Sequence, residues 1–181
     1  MFFWGNPVNE KRKMDSSHAV RLMEKLEFSR GHWKTFFFHS TKKEESVMEK
    51  KTYPFLYGGK KQDFGKAVIA GDFVFLSGVS GREWETGEVK EPDVRTQTRT
   101  AWQKIASILQ EVGASLDGIV KIVIYLRDVK DYDAFYEEKC KFLKVHCPDL
   151  LENPVAETVV EAGLYKKDMV VEIDIIAILT K

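Results

Sequence analysis

Residues 113–128 read GASLDGIVKIVIYLRD, and this stretch decides the fold. Its β-branched run from Ile119 to Leu126 predicts a strand. Gly113 ends a predicted helix that opens at Pro92, with Asp93 as its cap. One face of that helix carries small or apolar residues at every third or fourth position: Val94, Thr98, Ala101, Ile105, Ile108 and Val112. The helix is therefore expected to pack by this face.

Downstream of the central strand, the pattern predicts one more helix and two more strands. Asp131 or Asp133 is expected to cap a helix that runs to about Val145. Two apolar runs then close the domain, near Glu157–Val160 and from Met169 to Leu179.

Upstream of the first helix, Val68–Ala70 and Phe73–Leu76 flank the tight turn Gly71-Asp72, which is a hairpin signal. Thr86-Gly87 marks a second turn. The predicted order is therefore ββαβαββ. An α+β fold with two helices on one face of a single mixed sheet is the economical arrangement, since each helix has one apolar stripe to cover.

The last predicted strand is apolar on both faces. Val171, Ile173, Ile175 and Ala177 lie on one face, whereas Val170, Ile176 and Ile178 interrupt two acids on the other. Helices on one side leave the second face uncovered, and an exposed apolar sheet promotes association. The sequence therefore predicts self-association through that face.

Residues 1–47 differ from the remainder of the chain and are treated as an N-terminal extension to a domain at 48–181. They hold three of the four histidines, which favours an interaction or metal-binding segment as one interpretation. The preferred interpretation is a poorly ordered tail or an over-extended start, with Met48 as the true one, because so short a segment cannot bury a core of its own.

The composition of the chain bears on which partners the protein binds and in which compartment it resides. The 28 basic and 28 acidic residues give zero formal charge, which argues against nucleic-acid binding. No apolar run approaches the roughly 20 residues of a membrane helix. Cys140 and Cys147 fit a reducing cytoplasm, and packing is preferred over a metal site that would include His146.

Several short motifs together resemble the Rid (YjgF-like) reactive-intermediate deaminase family. They are Ser77-Gly78, Thr86-Gly87, Gln97-Thr98, residues 113–117, residues 120–128 and the closing run at 171–177. The resemblance implies a chorismate-mutase-like fold and a homotrimer with its sheets packed inward. It also implies small-molecule sites in clefts between subunits, where enamines or imines are hydrolysed to 2-oxo acids and ammonia without cofactor or metal.

The resemblance also implies which residues form the site. Glu172 matches the glutamate that activates water, Gly78 matches the ligand-binding strand end, and Phe64 stands where many members have tyrosine. The family's Pro-x-Arg motif aligns with Pro154–Val159 and brings Glu157 and Thr158 to the site. Ala156, however, occupies the position of the arginine that binds the substrate carboxylate.

Alternatives stay open for four residues. Gly78 is either a ligand contact or only a turn that ends the strand. Arg82 is either a solvated loop residue or a replacement for the missing cation. Glu157 either binds a basic substrate amine or forms a surface salt bridge. Glu172 is either catalytic or an interface acid paired with Lys121 or Arg127.

Three functions are compatible with this pattern. The first is a divergent deaminase-like hydrolase with doubtful activity on the usual 2-imino acids. The second is a non-catalytic trimer that binds a small metabolite in the same clefts. The third is a ribonuclease or translation inhibitor, which the neutral charge disfavours.

Overall fold

One seven-stranded sheet organises the part of the chain that the structure describes. The computed structural model describes residues 49–57, 59–89, 91 and 93–180, so the extension at 1–47 lies outside the described residues. The strands are β1 (Lys50–Tyr57), β2 (Lys60–Ala70), β3 (Phe73–Leu76), β4 (Val79–Ser80), β5 (Ala114–Leu126), β6 (Ala156–Glu161) and β7 (Val171–Leu179). The helices are α1 (Val94–Val112), α2 (Tyr132–His146) and the single turn α3 (Asp149–Glu152).

The strand order is β1-β2-β3-β7-β5-β6, and β4 also pairs with β7. All pairs are antiparallel except β5 with β6, which is parallel. The fold is therefore α+β with one mixed sheet, as the sequence predicts. The ββαβαββ prediction omits β1, the two-residue β4 and α3.

The ends of α1 are those predicted. The Asp93 carboxylate accepts a hydrogen bond from the backbone N–H of Thr96 at 3.0 Å, and this bond lowers the pKa of Asp93. Gly113 ends the helix in the left-handed region at φ 84°, where a glycine carries no Cβ penalty.

Asp131 occupies the N-cap position of α2, as predicted, but its side chain does not cap the helix. The helix begins at Tyr132, but Asp131 makes no side-chain capping bond, and Asp133 lies inside the first turn. Asp128 instead accepts from the N–H of Lys130 and caps a short 3-10 turn at Val129–Asp131 that leads into the helix. The carboxylate that caps a backbone N–H in this region therefore belongs to Asp128, before the 3-10 turn, and not to a residue at the start of α2.

The core lies between the helices and one face of the sheet. Trp102 on α1 and Phe135 on α2 are fully buried in one cluster with Ile124 of β5 and Ile173 of β7. Each such side chain contributes about 1.5–3 kcal/mol when it leaves water. Truncating Trp102 to alanine would leave a cavity and cost about 3–5 kcal/mol.

The opposite sheet face is open and partly apolar. Phe73 and Phe75 of β3 and Ile178 of β7 are 50%, 41% and 41% exposed, respectively. The two-faced character predicted for the last strand is confirmed, although the strand begins at Val171 rather than at Met169. Of the helices in the described part of the chain, none is long and apolar enough to cross a membrane.

Candidate active site

A cavity of about 330 Å³ lies at one end of the sheet, beside β4 and the start of β7. Its lining combines the first two strands, the segment that joins β3 to α1, and residues of α1 and β7. The described residues that line it include Phe55, Tyr57, Phe64, Lys66, Gly78, Arg82, Trp84, Lys104, Tyr165 and Glu172. Four of the residues singled out from the sequence are therefore together: Phe64, Gly78, Arg82 and Glu172.

Glu172 is the acid of the cavity. It is half-buried on β7, and β4 brings Ser80 opposite it. Burial raises the pKa of the Glu172 carboxyl above its ordinary value, and the nearby charge of Asp174 raises it further. The positive charge of Arg82 opposes both effects. A half-buried carboxyl with a raised pKa is suited to accept a proton near neutral pH.

The Glu172 carboxylate packs directly against Gly78, in the space that a side chain at this position would occupy. A Cβ atom built on Gly78 would lie 2.0 Å from Oε1 of Glu172, so any side chain there would displace the carboxylate. The preceding Ser77 is held by its hydroxyl, which donates to the carbonyl of Gly65 at 2.6 Å. Its backbone N–H donates to the carbonyl of Lys66 at 3.1 Å. The strand end is thus fixed beside Glu172.

Arg82 is held in a defined orientation. Its Nε donates to the carbonyl of Gly87 at 2.6 Å, and its Nη2 lies 3.4 Å from the Tyr57 hydroxyl. The guanidinium carbon lies 5.6 Å from the ring centre of Tyr57 and 5.9 Å from that of Tyr165, within cation–π range. Two of the five guanidinium N–H groups are used by these hydrogen bonds. A preorganised fork with further donors is suited to bind a carboxylate.

Lys104 of α1 was missed from the sequence. Its ammonium donates to the carbonyls of Ser80 and Arg82, at 3.0 and 2.7 Å. Burial, followed by the charge of Arg82, lowers the pKa of Lys104 to about 8, and Glu83 opposes this shift. Lys104 thereby ties the loop that carries Arg82 to the helix.

Aromatic side chains form one wall of the cavity, and sequence analysis identified only Phe64 among them. Phe55 of β1 stacks on Phe64 of β2 with ring centres 5.4 Å apart. The ammonium groups of Lys104 and Lys66 lie 5.4 and 5.9 Å from the ring centre of Trp84, respectively. The missed residues belong to β1 or to loops, where no periodic pattern marks them.

The site residues predicted on β6 lie outside the cavity that contains Glu172. Thr158 accepts a hydrogen bond from Lys121 at 2.6 Å, and Ala156 is exposed beside Lys121 on the open sheet face. Glu157 forms a salt bridge, which is one of the two sequence interpretations, but the pair is partly buried rather than at the surface: its partner Lys139 lies at 2.6 Å, and the two side chains are only 23% and 8% exposed. Within one chain, Ala156, Glu157 and Thr158 do not line the cavity of Glu172.

The suggested partners of Glu172 are also engaged elsewhere in this chain. Lys121 donates to Thr158, and Arg127 donates to the backbone carbonyls of Met169 and Lys166. Among the described residues, no three His, Cys, Asp or Glu side chains are grouped so that they could hold a metal ion. Cys147 is buried and Cys140 is half-buried, and both are thiols.

Comparison with known proteins gives a family match over most of the described region. The family model described as Endoribonuclease L-PSP matches residues 60–179. A RutC family protein of Pyrococcus abyssi is 32% identical over 114 residues, which are 63% of this chain and 84% of that protein. Reactive Intermediate Deaminase A of Arabidopsis thaliana, a chloroplastic protein, is 33% identical over 85 residues, which are 47% of this chain and 46% of that protein.

Among solved structures, a protein of the conserved Rid family from Yersinia pestis, YyfA, has the same fold. It superposes with a TM-score of 0.62 over 72% of this chain and all of that one, at 22% identity. At this identity the likeness concerns the fold alone.

Proposed function

Because the chain belongs to the Endoribonuclease L-PSP family, which includes the YjgF and Rid proteins, we propose that it hydrolyses a carboxylate-bearing imine or enamine to a 2-oxo acid and ammonia. Glu172 is the general base of this proposal, and Arg82 is the carboxylate anchor. The observation that carries it is the lining of one cavity by both side chains, with the Gly78 strand end beside Glu172.

The reaction needs only water. Glu172 takes a proton from a water molecule, whose oxygen attacks the carbon of the protonated imine and forms a neutral tetrahedral aminoalcohol. The protonated Glu172 then gives its proton to the nitrogen, the C–N bond breaks, and ammonia leaves as the hydroxyl group returns a proton to Glu172 and the carbonyl forms. This last proton passes to the ammonia, and Glu172 is again a carboxylate. An enamine enters the same sequence once its carbon is protonated and the imine results.

A negatively charged substrate would make Arg82, as the carboxylate anchor, assist Glu172, as the general base. A carboxylate on Arg82 would offset the positive charge that now lowers the pKa of Glu172. The pKa of Glu172 is therefore expected to rise when an anionic substrate binds, which makes it a stronger base at the moment of attack.

The test is ammonia release from an imine generated freshly by an amino-acid oxidase, with Glu172→Gln as the variant. Removing a general base typically costs about 10²–10⁴-fold in rate. Asp174→Asn is the matched control, because Asp174 lies two residues along the same strand and its carboxylate accepts from Tyr125 at 3.1 Å. It should lose far less activity. Equal rates for wild type and Glu172→Gln would overturn the proposal.

Two other functions have distinct outcomes in the same experiments. Carboxylate binding without ammonia release from any imine would favour a non-catalytic metabolite-binding protein. Cleavage of RNA, with activity that falls as salt rises, would favour the ribonuclease that the family description names.

A homotrimer with its sheets packed inward is part of the proposal. The exposed Phe73, Phe75 and Ile178 on the open sheet face support it, since burying them removes apolar surface from water. Light scattering should give three chains per particle, and a monomer at micromolar concentration would contradict it. A cytoplasmic location is also proposed, supported by the two free thiols.

A further inference from the structure

The aromatic wall of the cavity extends beyond the region that the family model matches. That match begins at residue 60, whereas β1 ends at Tyr57 and contributes Phe55 and Tyr57 to the lining. The wall is completed by Phe64 and Trp84, and Phe64 is 52% exposed even though it stacks on Phe55. An exposed ring beside a cavity offers apolar surface to a ligand.

The cationic groups of the cavity differ in what they contact. Lys66 is paired with Glu111 at 2.6 Å, and Lys104 donates to two backbone carbonyls. Arg82 contacts one carbonyl, one phenol and two aromatic rings. The cavity is therefore built to bind one anionic group at Arg82 rather than several.

The space beside Arg82 is larger than a small aliphatic side chain requires. A second pocket of about 390 Å³ shares Phe55, Tyr57, Phe64, Arg82 and Tyr165 with the first. A ligand with its carboxylate on Arg82 can thus extend along the rings of β1 and β2. An ethyl group would leave most of that surface in water, whereas a phenyl ring would cover it and could stack on it.

From this geometry we propose that the cavity selects a 2-imino acid with an aromatic side chain, its carboxylate on Arg82 and its ring against Phe55, Phe64 and Trp84. The imine part of this inference rests on the proposed function. The preference for an aromatic carboxylate rests only on the aromatic side chains that line the cavity.

Binding is tested with stable carboxylates, so that its result is independent of catalysis. We expect 3-phenylpropanoate to bind wild-type protein at least about tenfold more tightly than butanoate, measured by calorimetry, because the ring adds several buried carbon atoms. Phe64→Ala should reduce that ratio to about threefold or less. Tyr136→Ala is the control, since Tyr136 is 47% exposed on α2, does not line this cavity and should leave the ratio unchanged.

Catalysis is then compared for imines made from L-phenylalanine and L-2-aminobutyrate. We expect kcat/KM to be at least about tenfold higher for the aromatic imine. Equal affinity for the two carboxylates would overturn the aromatic preference, whatever the ammonia assay shows. Tight binding of 3-phenylpropanoate with no hydrolysis of either imine would uphold the preference and overturn the proposed reaction.

Discussion

At the cavity, the charge of Arg82 acts on Glu172 across a space that a ligand can enter, whereas on β6 the charge of Glu157 is neutralised directly by Lys139 at 2.6 Å. Arg82 is oriented by other contacts, including the hydrogen bond that it donates to the carbonyl of Gly87. The second pair is mostly buried against the helices. Polar groups at the cavity are thus available to a ligand, while those on β6 support the fold.

This difference bears on the position of the carboxylate anchor. The resemblance noted in the sequence predicts that the cation for the substrate carboxylate would come from the position of Ala156 on β6. Here Ala156 is exposed beside Lys121, and a guanidinium is found at Arg82 on the opposite side of β7. We infer that Arg82, rather than a residue of β6, anchors the carboxylate.

Gly78→Ala should have the largest effect at the cavity. The added Cβ would lie 2.0 Å from the Glu172 carboxylate, which must rotate away from its position. Loss of the placed base should reduce kcat by about 10²-fold or more with little change in stability. Gly163→Ala is the matched control, because a Cβ there has nothing within 4 Å. A full-rate Gly78→Ala enzyme would show that Glu172 need not sit where the structure has it.

Glu157→Gln should act on the fold and leave the cavity unchanged. It removes the carboxylate that pairs with Lys139, whose side chain is only 8% exposed, so the free energy of unfolding in urea should fall by about 3 kcal/mol. Glu137→Gln is the control, since its partner Arg95 is 41% exposed and a surface pair contributes about 1 kcal/mol or less. A marked rise in KM at unchanged stability would instead place Glu157 in the binding site.

How far the sequence predicts the molecule depends on the range of the contacts. The helix α1 and strand β5 were predictable because apolar periodicity and caps are local signals. The strand β1 was not, since it is an edge strand that starts with lysines and contains Pro54, and its rings reach the cavity only through pairing with β2.

The site itself depends on contacts that no local signal marks. Glu172 was identified through family resemblance, but its proximity to Arg82 follows from the pairing of Ser80 with Glu172, and β4 is only two residues long. Lys104 sits on a helix whose apolar pattern is satisfied without it. Its role emerges only when the loop carbonyls of Ser80 and Arg82 come within hydrogen-bond distance.

Arg82→Met should weaken substrate binding and shift the pH profile. Loss of a charge-assisted pair corresponds to about 1.5–3 kcal/mol, so KM should rise roughly ten- to hundredfold. The charge of Arg82 lowers the pKa of Glu172, so its removal raises that pKa, and the acid limb of kcat/KM should move to higher pH. Arg82→Lys keeps the charge and should leave the limb in place while KM still rises. If Arg82→Met changed neither the acid limb of kcat/KM nor KM, Arg82 would not be the carboxylate anchor, and a residue of β6 would be the next candidate.

Ala156→Arg should have the smallest effect. Ala156 faces the open side of the sheet, directly across from Lys121, and it does not line the cavity of Glu172 in its own chain. If Arg82 already binds the carboxylate, a second cation on β6 adds nothing to the transition state, and kcat/KM should change less than about threefold, as for an ordinary surface substitution. Ala156→Gln separates the effect of size from that of charge. A KM that falls tenfold or more with arginine, but not with glutamine, would mean that a neighbouring chain presents β6 to the ligand. The carboxylate would then bind where the family pattern has it, and Arg82 would serve to hold its own loop.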